Sequence, residues 1–127
     1  MLAKITVGLA ALVSLLLLAI GAHWQIDPTA AAAELGMPLL EDGIGRSSQI
    51  GDLTAFFVVG GVFGLLGVVR KNPLFLYTPA ALVGAAAVFR TLAWLLHGAD
   101  FAPMIIPEIL MLIVYIAAIR TLRVTAA

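Results

Sequence analysis

The chain of 127 residues contains no cysteine, only 11% charged residues, two histidines and no surplus of charge of either sign. Each shortage excludes something. Without cysteine there is no disulfide framework and no thiolate zinc or iron–sulfur site. Seven lysines plus arginines are balanced by seven aspartates plus glutamates, so the basic surplus of a nucleic-acid binder is missing and no nucleic-acid partner is expected. Two histidines far apart in sequence make a poor start for a metal centre, and no Walker loop, dinucleotide fingerprint, His-x-x-x-His or Gly-x-Ser-x-Gly occurs. No metal site, no cofactor and no catalytic residue is therefore expected.

What is there is apolar. Hydrophobic residues make up 63% of the chain, too many for a soluble domain of this length to bury. About 20 mainly apolar residues span a bilayer as a helix, and four stretches qualify: about 5–22, 50–69, 74–96 and 103–122. Backbone groups in lipid must be satisfied within the segment, and the alternation of a membrane β-barrel is absent. The expectation is an all-α integral membrane four-helix bundle forming a single domain over residues 1–127. The first stretch has a rival reading as a signal peptide, with Met1 to Lys4 as its n-region and Ala19-Ile20-Gly21 as a small-x-small cleavage site.

Between the first two spans, Asp27-Pro28 reads as an N-cap followed by proline at the first helical position. A short interfacial helix then runs from Thr29 to Leu35, stopped by Gly36 and Pro38. Gly43, Gly45 and Ser47-Ser48 suggest an irregular connector. Arg70-Lys71-Asn72-Pro73 is a tight turn and residues 97–102 a short loop. In this arrangement Lys4, Arg70, Lys71, Arg120 and Arg123 share one membrane face, and Arg46 alone lies in a loop on the other. The positive-inside rule makes both termini cytoplasmic and the short helix external. Asp27, Glu34, Glu41, Asp42, Asp52 and Asp100 belong to the outer face or its border. Trp24 and Trp94 near outer ends, with Tyr77 and Tyr115 nearer the inner side, resemble an aromatic belt.

Gly60 and Gly64 in the second span form a small-xxx-small pair, and Ala80/Gly84 and Ala81/Ala85 repeat the spacing in the third. Such faces let backbones approach closely, either within the monomer, the favoured reading, or between copies in a homo-oligomer through the Gly60/Gly64 face.

Three ionisable residues fall at one depth. Arg90 lies six residues before the end of the third span, roughly 9 Å inside it at about 1.5 Å per residue. Glu108 lies early in the fourth span, on a face with Met111, Leu112 and Tyr115, and Asp52 early in the second, on a face with Gln49 and Phe56. Charged groups inside a bilayer turn toward partners or a wet cavity. An Arg90–Glu108 pair suits the fork geometry of guanidinium and carboxylate, and Asp52 could complete a triad. Arg46, Gln49 and His97 are further candidates at the same end. Two plainer readings compete: Asp52 or Glu108 as a first-turn acid favoured by the helix dipole, and an ion pair that only fixes helix register.

The Gly51-Asp52 pair opening a glycine-rich span, Arg90 late in the third span and Glu108 early in the fourth resemble a bacterial domain-of-unknown-function family of small four-helix membrane proteins, more loosely similar to the DoxX-like group. The likeness runs best over residues 47–123. That family often has a basic residue before the Gly-Asp pair, where this chain has Ile50. The resemblance implies a four-helix fold in the bacterial inner membrane, and no substrate or reaction. The working expectation is a small non-enzymatic multi-pass protein whose outward-facing polar pocket, lined by Asp52, Arg90 and Glu108, takes a small ligand or lipid. The alternatives are an accessory subunit of a larger membrane complex, and an enzyme or proton-coupled carrier using the same carboxylates.

Overall fold

The computed structural model describes residues 1–126, all of whose regular structure is helical. Helices α1 (Leu2–Ile26), α3 (Gly43–Val69), α4 (Pro73–Leu96) and α5 (Ile105–Ala126) are each long and apolar enough to cross a membrane, and a seven-residue helix α2 (Pro28–Glu34) follows α1. Exposed side chains such as Leu12, Leu16, Val62, Phe89, Leu110 and Ile113 give the bundle an apolar outer surface. That inverts a soluble fold and suits a lipid environment.

The junctions follow local chemistry. Asp27 accepts a hydrogen bond from the Ala30 N–H at 3.1 Å with Pro28 next in line, so α2 starts where expected, and Gly36 at φ +73° ends it. Asn72 caps α4 by accepting from the Leu74 N–H at 3.0 Å, with Pro73 following. Helix α5 starts at Ile105, so Pro107 falls in its first turn, where a missing N–H costs nothing.

Two expectations need correction here. The second span does not follow an irregular connector: α3 already begins at Gly43, seven residues before position 50. At 27 residues and about 1.5 Å per residue it exceeds a ~30 Å hydrocarbon core. Its first turns are held by side chains reaching back to the loop. Arg46 Nη1 donates to the Glu41 carbonyl at 2.8 Å. Gln49 accepts from the Leu40 N–H at 2.9 Å and donates to the Pro38 carbonyl at 3.0 Å and the Met37 sulfur at 3.2 Å. Nor do Trp24 and Tyr115 belong to an interfacial belt. Both are fully buried, Trp24 in one apolar cluster with Ala31 and Ala32 of α2. Trp94 and Tyr77 are exposed, as a belt requires.

The glycine faces close the monomer. Gly60 packs beside Leu17 of α1 and Leu82 of α4. A methyl group at Gly61 would lie 2.7 Å from the Ser14 carbonyl, and one at Gly64 would collide with the Ser14 side chain. Gly84 faces Leu112 of α5. Gly21 abuts Val58 and Phe57, so one of the two small residues that suggest a cleavage site forms part of the α1–α3 seam, while Ala19 is exposed. Gly60 and Gly64 are both buried against neighbouring helices within the bundle.

The chain order puts the start of α1, the α3–α4 turn and the end of α5 at one end of the bundle. Lys4, Arg70, Lys71, Arg120 and Arg123 lie there; α2, the connector and the α4–α5 loop lie at the other end with the acids.

Candidate functional site

The Arg90–Glu108 pair forms. Arg90 Nε donates to Glu108 Oε1 at 2.9 Å, joining the last third of α4 to the first turn of α5. The Arg90 side chain is 29% exposed and that of Glu108 10%. Glu108 is a first-turn acid, where the helix dipole favours a carboxylate, and it is also the partner of a guanidinium.

The pairing is incomplete. Glu108 Oε2 is enclosed and has no hydrogen-bond partner in the protein. A second orphan, the Trp24 indole N–H, lies at the same end. Buried polar atoms of this kind are uncommon and call for a reason.

Glu108 and Arg90 stand between two recesses. One, of about 290 Å³, opens between α1 and α5. Val13, Leu16 and Ile20 form one wall, Pro107, Leu110, Met111 and Val114 the other, with Leu35 and Phe57 behind and the ion pair as its polar element. The other, of about 390 Å³, lies between α3 and α4 and is bounded by Leu53, Phe56, Phe57, Ala86, Phe89 and Ala93 with the same pair.

The remaining candidates go elsewhere. Asp52 is exposed and makes no hydrogen bond or ion pair among the described residues. It belongs to the outward stripe of α3 with Val59 and Val62, whereas Leu53, Phe56 and Phe57 face Arg90. The triad is therefore a pair. Arg46 and Gln49 hold the loop before α3. His97 is exposed at the C-terminal end of α4, where its N–H bonds the Ala93 carbonyl. His23 Nδ1 lies 3.5 Å from Glu34 Oε2, tying α2 back to α1.

A polar node at mid-bundle escapes the sequence reading. Ser14 and Tyr115, both fully buried, lie 3.0 Å apart, hydroxyl to hydroxyl. The Ser14 proton goes to the Ala10 carbonyl at 2.7 Å, so the Tyr115 hydroxyl must be the donor to Ser14. The sequence signal was the shared face of Glu108 and Tyr115, seven residues apart, which both turn inward.

No family model, curated protein or solved structure matches this chain.

Proposed function

We propose that this is a small non-enzymatic membrane protein that holds an uncharged amphiphile in the cleft between α1 and α5, its polar head against Arg90 and Glu108. The observation that carries the reading is the half-satisfied ion pair beside an otherwise apolar cleft. A guanidinium and a carboxylate sum to zero. Adding an anion or a cation would leave net charge in a low-dielectric site, at a cost of several kcal/mol per ion, on the order of the desolvation penalty. A neutral head with one donor and one acceptor avoids that cost. It donates to Glu108 Oε2, which a turn about the soft terminal carboxylate torsion brings toward the cleft, and accepts from the guanidinium N–H groups. A volume of about 290 Å³ is at the small end of ligand pockets and suits a head with one chain rather than a two-chain lipid.

With the basic end cytoplasmic, as the positive-inside rule requires, the cleft opens in the outer half of a bacterial inner membrane. The test is thermal unfolding in detergent with a monoacylglycerol as probe. Binding at a hundred times Kd stabilises by about 2.7 kcal/mol, so the wild type melts at a higher temperature with the probe, while Glu108→Gln shows a much smaller rise. A fatty acid anion and a single-chain alkylammonium cation give less. Equal rises in wild type and Glu108→Gln, or none with any probe, would refute the reading.

A further inference from the structure

Another cleft lies at the opposite end, away from Arg90 and Glu108. It measures about 510 Å³ and is bounded by Ala3, Lys4 and Val7 of α1, Val68 of α3, Lys71 of the α3–α4 turn, and Thr121, Leu122 and Thr125 of α5. We infer that this cleft binds the headgroup of an anionic phospholipid, with the phosphate between Lys4 and Lys71.

Three observations support the assignment. The first is uncompensated charge. Lys4, Arg70, Lys71, Arg120 and Arg123 gather at this end, and every aspartate and glutamate of the chain lies toward the other. Of these five, Lys4 and Lys71 line the cleft, whereas Arg123 lies over the Tyr77 ring, 5.5 Å from its centroid. A basic recess between helices at the membrane surface attracts anionic heads.

The second is backbone conformation. Lys71 has φ +51° and is the one non-glycine residue with positive φ among those described. The turn it completes is a helix C-terminus in which the Lys71 N–H bonds the Val68 carbonyl at 3.2 Å and the Asn72 N–H bonds the Gly67 carbonyl at 3.0 Å. Glycine normally fills such a left-handed position. A lysine there spends backbone energy while bordering the cleft, a pattern found where a side chain has a task.

The third is the hydroxyl pair. Thr125 donates its proton to the Thr121 and Leu122 carbonyls, both at 3.1 Å, so its oxygen is free only as an acceptor, suited to a headgroup hydroxyl. Thr121, half-buried on the same wall, can donate to a phosphate oxygen. The apolar residues Val7, Val68 and Leu122 then meet the glycerol and upper chain.

The experiment places the full chain in bilayer discs of mixed phosphatidylcholine and phosphatidylglycerol and measures, by native mass spectrometry, the lipid that stays bound. Wild type retains phosphatidylglycerol in excess of its share of the disc. Lys71→Gly removes the charge while fitting the left-handed turn better, so it stays folded and melts no lower, yet its enrichment falls about fivefold, the factor one basic residue near a membrane surface contributes. Lys4→Gln behaves alike, and Thr121→Val loses less. Arg120→Gln with Arg123→Gln keeps most of the enrichment. No enrichment in wild type, or an equal loss in the Arg120/Arg123 double variant, which would mean diffuse surface charge, overturns the proposal. So does inorganic phosphate that stabilises the protein in pure phosphatidylcholine discs as fully as the anionic lipid does.

Discussion

Helix α1 packs against two of the other long helices, α3 and α5, and treats them differently. Against α3 it closes through missing side chains: Gly21, Gly61 and Gly64 leave no room for a methyl group. Against α5 it closes at one hydrogen bond, Tyr115 to Ser14, and toward the acidic end the seam opens into a cleft with an ion pair beside it. In lipid there is little hydrophobic drive between helices, so contact depends on how closely backbones approach. The glycine seam supplies that contact and frees the other seam to stay open. The two seams meet at mid-bundle, where Gly64 faces both Ser14 and the Tyr115 hydroxyl.

The contrast can be broken at several points. Gly64→Val drives a branched side chain into Ser14 and should cost about 3 kcal/mol or more, measured as loss of the folded form on denaturation in mixed micelles. A comparably buried position without this contact should tolerate change far better. Arg90→Ala leaves Glu108 unpaired. A fully buried pair loses about 3–5 kcal/mol on losing one partner, and the partial exposure of Arg90 reduces the expectation to about 2 kcal/mol by the same measurement. Tyr115→Phe removes one donor from the α1–α5 seam and should cost about 1 kcal/mol. Asp52→Asn, on the outward stripe, should change stability by less than about 0.5 kcal/mol. A large Asp52 effect would mean that the triad forms after all.

Much of this was legible because it depends on one dimension. Hydropathy gives the four spans, Asp27-Pro28 gives a helix start, Asn72-Pro73 falls in a turn, and counting residues from helix ends gives the common depth of Arg90, Glu108 and Asp52. Azimuth is harder to read. Asp52 shares its depth with Arg90 but points away, because the inward face of α3 is set by glycines about two to three turns further along. Trp24 and Tyr115 have the residue types of an interfacial belt, and only packing shows that α2 covers one and Ser14 holds the other. The early start of α3 depends on Arg46 and Gln49 bonding backward to a loop, contacts that no periodicity records. The opening between α1 and α5 comes from the relative disposition of two helices, a property of neither sequence alone.

The proposed entry of an uncharged single-chain lipid into the α1–α5 cleft beside Glu108 can be followed through a tryptophan near the cleft. Trp24 lies one turn beyond Ile20 of the cleft wall and clusters with Leu35, another of its lining residues. In a Trp94→Phe variant it is the remaining tryptophan, and its fluorescence can be followed in bilayer discs as a monoacylglycerol with a brominated chain is added. Saturable quenching is expected, abolished when Val13→Phe fills the cleft and weakened by Glu108→Gln. Unsaturable quenching, matched by brominated phosphatidylcholine and unchanged in both variants, would contradict it.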